Sequence, residues 1–243
     1  MLQVFGDGVF GDSWGHEGPT VLYLHGWRRS HDDARPLAEA LSAFKIRVVA
    51  LDLPGFGASL APTTAGGARM YADVLASVRD QIAPDLIVGH SFGGRIAACW
   101  ATTNNVPVIL TGAPLLHRAG RRTSPRAYRL IRAAARYHLV SSARLEAARR
   151  KYGSADYNAA SGIMRDILVA TIAESYEDEI SSWRAPVTLW WGENDQDVPL
   201  DVATRAAALS PHTVRVVTVP DAGHLAPVTH GADLAALIRE VIA

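Results

Sequence analysis

The sequence predicts an α/β protein with a mostly parallel central sheet that is covered by helices on both faces. Short, uninterrupted apolar runs alternate with segments of helical spacing, and this alternation is typical of strands buried by crossover helices. The chain has 243 residues, of which 49% are hydrophobic and 20% charged. That length and balance predict one globular domain with a substantial core.

The first half of the chain supplies four strands, each followed by loop signals. The run 21–24 ends at a His-Gly pair, and the run 48–51 stops at Asp52-Leu53-Pro54-Gly55-Phe56-Gly57, where proline and glycines mark a loop. Two further runs, 86–88 and 106–110, lead into glycine-containing turns. Helical spacing separates the runs at 37–44, 71–78 and from Ser91 to about Trp100.

The strand signal vanishes between residues 115 and 184, where the sequence is rich in Arg and Ala and has helical spacing. We interpret this segment as a helical insertion, with residues 1–114 and 185–243 forming the α/β core. The alternation resumes with a strand at 187–191, a helix at 202–209, a strand at 214–219 and a terminal helix at 233–242.

Several classes of protein are disfavoured by what the sequence lacks. It has no basic and apolar leader at its first residues and no run near the ~18 apolar residues that span a bilayer. Its one cysteine, Cys99, excludes an intramolecular disulfide and is expected to pack in the interior. We therefore expect a cytoplasmic protein. No phosphate loop, dinucleotide fingerprint or metal-spaced cluster is found, so we expect no cofactor and no metal.

A nucleophile motif stands between a predicted strand and a predicted helix. Gly89-His90-Ser91-Phe92-Gly93 fits the pattern G-x-S-x-G, and its glycines allow the tight turn that exposes a serine hydroxyl at the sheet edge. The strand-to-helix context gives the motif its meaning. Ser91 is therefore the predicted nucleophile.

A serine nucleophile needs a base, and the base needs a carboxylate that orients it. Of nine histidines, His224 directly follows the last predicted strand and a turn-forming glycine, so it is the predicted base. The segment after residue 191 offers Glu193, Asp195 and Asp197, of which Asp195 is preferred and Asp197 is the alternative. The other histidines are expected to make local hydrogen bonds, in the case of His25 and His90, or to lie at the surface or in packing, as for His31.

An oxyanion hole needs two backbone N–H donors, one from the residue after the nucleophile and one from the loop after an early strand. Phe92 and Trp27 occupy those positions. The Trp27 side chain could equally form a wall of the site or pack against neighbouring loops.

Residues 118–151 form a strongly basic segment although the whole chain has a net charge of zero. The segment carries ten arginines and one lysine against Glu146 alone, a local charge of +10. It could attract an anionic substrate or an acidic carrier, or be a solvated helical face. Few aromatic residues are interleaved with the arginines, so nucleic-acid binding is not expected.

The motifs described above, with His25-Gly26-Trp27, Trp191-Gly192-Glu193-Asn194-Asp195 and Gly223-His224, resemble the α/β-hydrolase superfamily in order and spacing. The resemblance implies the α/β-hydrolase fold, a triad completed by Asp195 and a helical cap over residues 115–184. The His-Gly-Trp loop is similar to that of small carboxylesterases, a group that includes an enzyme acting on pimeloyl groups held by acyl carrier protein.

These observations favour a serine hydrolase of the carboxylesterase type that acts on a small-molecule ester or acyl substrate. Two alternatives remain open. One is hydrolysis of a carbon–carbon bond, as in the similar meta-cleavage hydrolases, and the other is a non-catalytic ligand-binding protein on the same fold. The sequence assigns no substrate-binding residues.

Overall fold

The computed structural model describes residues 2–6, 8–117, 126–152, 155–212 and 214–243. For Arg126 and Arg132 it describes the backbone alone. Eight strands form one sheet in this part of the chain. They are β1 (Gln3–Val4), β2 (Phe10–Trp14), β3 (Thr20–Leu24), β4 (Arg47–Leu51), β5 (Leu86–His90), β6 (Val108–Thr111), β7 (Val187–Gly192) and β8 (Arg215–Val219). Their spatial order is β1-β2-β4-β3-β5-β6-β7-β8, parallel from β4 to β8 and antiparallel at β1 and β2.

Helices follow most of the strands, as the sequence predicts. They are α1 (Arg35–Leu41), α2 (Ala68–Val74), α3 (Ala76–Ile82), α4 (Phe92–Trp100), α5 (Arg126–Arg136), α6 (Ser142–Tyr152), α7 (Ala155–Ala159), α8 (Gly162–Ala173), α9 (Glu177–Ser181), α10 (Leu200–Leu209), α11 (Ala226–Thr229) and α12 (Gly231–Ile242). Short 3₁₀ turns flank α1 at His31–Ala34 and Ser42–Phe44. None of these described helices is both long and apolar enough to cross a bilayer.

Alternate residues of the strands enter two separate hydrophobic cores, because successive side chains of a strand point to opposite faces. Leu22 and Leu24 of β3 pack in the core that α2, α3, α4 and α10 cover. Val21 and Tyr23 pack in the other core, which α1 and α12 cover. The predicted fold class, a mostly parallel sheet with helices on both faces, is therefore confirmed.

Two strands at the amino-terminal edge were not predicted. The sequence of β2, Phe-Gly-Asp-Ser-Trp, has no apolar run that would mark a strand. Its pairing with β4 depends on a close backbone approach at Gly11, where a Cβ atom would lie 2.2 Å from the carbonyl oxygen of Ala50. Strand β6 also begins later than predicted, at Val108, since Pro107 has no N–H to give to the ladder.

The described residues between β6 and β7 contain the five helices α5–α9 and no strand. This part of the chain includes the basic segment, of which Arg118, Arg121 and Arg122 lie outside the described residues. Helices α5 and α6 contact each other, and their exposed cations are Arg129, Arg136, Arg144, Arg149, Arg150 and Lys151.

Candidate active site

The loop after β5 turns sharply into α4 at Ser91. Ser91 has a positive φ of 50° with ψ −108°, a combination that is unusual for a residue with a side chain. The turn is held by hydrogen bonds from the Ser91 amide to the carbonyl of Thr111 (2.9 Å) and from the Gly93 amide to that of His25 (3.0 Å). A Cβ atom on Gly93 would lie 2.3 Å from the Leu24 carbonyl oxygen, so glycine allows α4 to start directly against β3.

Three of the predicted site residues come together at the carboxyl edge of the sheet. The Nε2 atom of His224 lies 3.2 Å from Ser91 Oγ, and His224 Nδ1 lies 2.8 Å from Asp195 Oδ2. Ser91 follows β5, Asp195 follows β7 and His224 follows β8. This arrangement allows Ser91 to donate to His224 and His224 to donate to Asp195, which fixes the tautomer that a base needs.

Asp195 is the carboxylate of its loop that contacts His224. It is buried at 4% exposure, whereas Glu193 and Asp197 are exposed. Its second oxygen, Oδ1, accepts hydrogen bonds from the amides of Asp197 (2.9 Å) and Val198 (2.8 Å). Both carboxylate oxygens are therefore engaged, and Asp197 contributes its backbone to this arrangement.

The two predicted oxyanion donors lie on neighbouring loops. Phe92 is the first residue of α4, so its N–H has no acceptor within the helix. The rings of Trp27 and Phe92 meet edge to face at 5.4 Å, and Trp27 also packs on Phe56 at 4.9 Å. The Trp27 side chain therefore packs against neighbouring loops and also lines the cavities described below.

A polar network that the sequence did not predict ties together the loops after β3 and β4. Asp52 Oδ1 accepts from the amide of His31 (2.8 Å) and lies 2.9 Å from its Nδ1 atom, while Oδ2 accepts from the Ala58 amide (2.8 Å). Burial opposes ionisation of Asp52, but the hydrogen bonds from Ala58 and His31 lower its pKa. The imidazole of His25 joins the same loops, since its Nε2 accepts from the Leu53 amide at 2.9 Å.

Two buried histidines beside the site stay neutral. Burial lowers the pKa of His25 to about 4 and that of His90 to about 3, where proximity to His224 adds to the effect. The Nδ1 atom of His25 lies 2.7 Å from the Gly26 carbonyl, and that of His90 lies 3.2 Å from the Thr111 carbonyl. Both residues make the local hydrogen bonds that were expected of them.

Two cavities open at Ser91. The larger one, of about 410 Å³, is lined by His224, Leu225, Val198, Asp197 and Arg29 among others. A smaller one, of about 150 Å³, has mainly apolar walls and also contains Arg95 and Thr171. Ser91, Trp27, Pro114 and Asp156 line both. The sequence analysis did not single out Arg95. The one signal in the sequence was its position about one helical turn after Ser91, which is too weak to assign a role.

Sequence and structure comparisons agree with this architecture. A model described as "Alpha/beta hydrolase family" matches residues 21–237. Protein phosphatase methylesterase 1 of Bos taurus is 37% identical over 103 residues, which cover 40% of this chain and 27% of that protein. Pimeloyl-[acyl-carrier protein] methyl ester esterase of Shewanella sp. (strain MR-7) is 36% identical over 81 residues, or 33% and 28% of the two chains.

The chain thus matches less than a third of the length of these two relatives. A solved structure, bromoperoxidase from Bacillus anthracis, has a TM-score of 0.71 at 19% identity over 96% of this chain and 94% of that one. This likeness shows the fold alone. Since the family model covers most of the sequence, including every residue of the site, the chain belongs to the alpha/beta hydrolase family.

Proposed function

We propose that this protein is a serine hydrolase that cleaves a carboxylic ester through an acyl-enzyme, with Ser91, His224 and Asp195 as its catalytic triad. The observation that carries the proposal is the continuous contact from Ser91 Oγ through the His224 ring to Asp195 Oδ2, at 3.2 and 2.8 Å. The names of the relatives, a methylesterase and a methyl ester esterase, support an ester as the substrate.

In the first half of the reaction, Ser91 Oγ attacks the ester carbonyl while His224 Nε2 takes the hydroxyl proton. Asp195 orients the ring and stabilises the imidazolium. His224 then gives the proton to the leaving alkoxide, and an acyl-Ser91 ester remains. In the second half, His224 takes a proton from water, the hydroxide attacks the acyl carbonyl, and the carboxylic acid departs as Ser91 recovers its proton.

The negative charge that develops on the carbonyl oxygen needs donors that are already in place. We assign this role to the backbone N–H groups of Phe92 and Trp27. The start of α4 supports the assignment, because the amino end of a helix presents unpaired N–H groups and a partial positive charge.

The domain division belongs to the same proposal: residues 1–114 and 185–243 form the catalytic core, and residues 115–184 form a helical cap. Asp156 of α7 and Leu168 of α8 line the cavities at Ser91, which supports a cap that shapes the substrate site.

The exposed cations of α5 and α6 would hold an anionic substrate or an acidic carrier. A cytoplasmic location is proposed for the protein as well.

The test is hydrolysis of a p-nitrophenyl ester series, from acetate to long acyl chains, by the wild type, Ser91→Ala and Asp195→Asn. We expect kcat to fall about 10⁴-fold or more in Ser91→Ala and by a similar order in Asp195→Asn, which leaves His224 in the wrong tautomer. Glu193→Gln is the matched control, since its carboxylate belongs to the same loop, is exposed and lines neither cavity at Ser91.

Labelling with a fluorophosphonate provides a second readout that needs no substrate. Labelling that Ser91→Ala abolishes supports the proposal. A folded wild type that neither labels nor turns over any ester contradicts it and favours a ligand-binding protein. Labelling together with turnover of a dienone, but of no simple or carrier-bound ester, contradicts the ester assignment and favours carbon–carbon hydrolysis.

A further inference from the structure

The smaller cavity at Ser91 combines apolar walls with polar groups whose hydrogen-bonding capacity is not fully used. Its apolar walls include Trp27, Phe92, Leu168 and Ile172. Besides Ser91 and Asp156, its polar lining residues are Arg95 and Thr171. Arg95 belongs to α4, the helix that begins directly after Ser91. The cavity is therefore lined by both a cation and the proposed nucleophile.

Arg95 is buried at 8% exposure, and no carboxylate forms an ion pair with it among the described residues. Its Nε donates to the carbonyl of Pro114 at 3.1 Å, and its Nη1 donates to the carbonyl of Thr171. A guanidinium has five N–H donors, so these two bonds leave donor capacity unused. Burial lowers the pKa of Arg95, the effect expected of a cation without a counter-ion.

The carboxylate of Glu174 is close enough to influence Arg95 but is bound elsewhere. It accepts hydrogen bonds from the Ala68 amide (2.8 Å) and the Tyr176 hydroxyl (2.5 Å), and it lies 3.7 Å from Arg69. The centre of the Tyr176 ring lies 5.8 Å from the Arg95 guanidinium carbon. Glu174 therefore stabilises the start of α2 and is not the ion-pair partner of Arg95.

A second, independent observation concerns the hydroxyl of Thr171. This side chain is buried at 4% exposure, and its Oγ1 atom has no hydrogen-bond partner among the described residues. The indole N–H of Trp27, another lining residue, is buried and without a partner in the same sense. Buried polar groups are nearly always paired. These two unpaired groups, together with the unused donors of Arg95, point to a ligand that supplies acceptor oxygens.

The position of His224 decides which part of the substrate enters this cavity. His224 lines the larger cavity and is not among the residues of the smaller one. Since His224 must protonate the departing alkoxide, the leaving group belongs in the larger cavity and the acyl chain in the smaller. A volume of about 150 Å³ holds roughly five groups of water size at ~30 Å³ each, which suits a short acyl chain.

One carboxylate, that of Asp156, lines both cavities and would oppose an anion. It is about half exposed and lies 3.5 Å from the guanidinium of Arg28. Solvent and this pairing weaken its effect relative to the buried Arg95, because screening is much stronger at exposed groups.

We infer that Arg95 and Thr171 form a carboxylate-binding subsite for the acyl portion, so that the preferred substrates are half-esters of short dicarboxylic acids. This inference rests on the proposed ester hydrolysis. Arg95 would bind the distal carboxylate through its unused N–H groups, Thr171 would donate its hydroxyl, and the ester carbonyl would then lie at Ser91.

The experiment compares two p-nitrophenyl esters with five-carbon acyl chains, the glutarate monoester, which is anionic, and the neutral pentanoate. In the wild type we expect kcat/KM to favour the glutarate ester by about tenfold to hundredfold, the range for a hydrogen-bonded charge. Arg95→Gln should remove this preference, Arg95→Lys should keep part of it, and Thr171→Val should reduce it severalfold. Arg215→Gln, which removes an exposed arginine on β8, should leave the ratio unchanged.

A structural role of Arg95 alone would lower the rates with both esters equally, and that result, or a wild type without preference, overturns the inference. Thermal shift of Ser91→Ala with free glutarate against pentanoate separates the two proposals. If no ester is turned over but glutarate stabilises Ser91→Ala, and the added Arg95→Gln abolishes the stabilisation, then the subsite stands while the ester hydrolysis fails. Equal shifts with both acids contradict the subsite.

Discussion

At the scale of single residues, Gly112 sets how closely the end of β6 approaches the proposed triad. Its backbone is left-handed, with φ 53°. A Cβ atom at this position would lie 3.0 Å from His224 Nδ1 and 3.2 Å from Asp195 Oδ2. A side chain here would therefore press on the hydrogen bond that orients His224.

We predict that Gly112→Ala lowers kcat by about tenfold or more while the protein still folds. The left-handed backbone costs an alanine about 1–2 kcal/mol, and the added methyl group displaces His224 from Asp195. Catalysis requires the positions of His224 and Asp195 to be kept within about 0.5 Å. We therefore expect this displacement to lower kcat more than the backbone strain by itself would. Ester hydrolysis and the unfolding midpoint are the two measurements.

Gly162→Ala is the matched control. Gly162 has nearly the same φ, 51°, but no atom lies within 4 Å of where its Cβ would be. It should lose similar stability and keep its activity. Equal loss of activity in the two variants would show that backbone strain, and not contact with His224, is responsible.

How far the site could be predicted from sequence differs from residue to residue. Ser91 and His224 stand in local patterns, and the structure brings them together as their strand ends suggested. Asp195 needed a choice among three carboxylates, which only the contact with His224 distinguishes. The pairing of Asp52 with His31 and the exposure of Arg95 to the cavity depend on residues far apart in the chain, so no local pattern marks them.

At the scale of elements, the parallel strands could be predicted because each is a buried apolar run followed by a loop signal. The antiparallel ribbon β1-β2 could not, since its residues are partly polar and its place is fixed by pairing with β4. Sheet order was beyond the sequence for the same reason: pairing between distant strands is a tertiary property. Helical spacing alone indicated α5–α9, but not how they meet the sheet.

The carboxylate of Glu146 forms an ion pair between helices α6 and α8. Glu146 of α6 lies 2.6 Å from Arg165 of α8 and within 4 Å of Arg149 and Arg150. We predict that Glu146→Gln loosens α6 without unfolding the core. A partly exposed ion-pair network contributes about 0.5–1 kcal/mol, so trypsin cleavage within α5 and α6 should become roughly two- to fivefold faster at an unchanged global unfolding midpoint.

The control is Glu240→Gln, which breaks an exposed ion pair of the same 2.6 Å length with Arg215. It should leave cleavage in α5 and α6 at the wild-type rate. If Glu146→Gln cleaves no faster than this control, the Glu146–Arg165 contact does not hold the helices together.

At the scale of the whole molecule, two buried neutral histidines make stability depend on pH. In the folded protein, burial lowers the pKa of His25 to about 4 and of His90 to about 3, whereas an unfolded chain titrates them near 6.5. Between these values the unfolded state binds more protons than the folded state. The contribution of these histidines to the free energy of unfolding is therefore fully present above pH ~6.5 and is lost as the pH falls towards 4. Near pH 5 the free energy of unfolding changes by about 2–3 kcal/mol per pH unit.

Denaturant unfolding at several pH values between 7 and 4 measures this slope. His90→Gln should reduce it by about half, whatever the variant does to stability at pH 7, while His212→Gln removes an exposed imidazole and should leave the slope unchanged. If the free energy of unfolding has the same slope against pH in His90→Gln and in the wild type, then buried His90 is not a source of the pH dependence. The low pKa of Asp52 adds acid sensitivity only below pH ~4.

Ser91, Asp195, His224 and Trp27 all stand on loops that leave the carboxyl ends of strands, on one rim of the sheet. Loops tolerate change far better than the strands that carry them. Evolution, or a laboratory library, can therefore remodel the substrate range by altering this rim together with α7 and α8. The opposite rim, which the named site residues do not use, can accumulate substitutions for solubility or robustness without touching the chemistry.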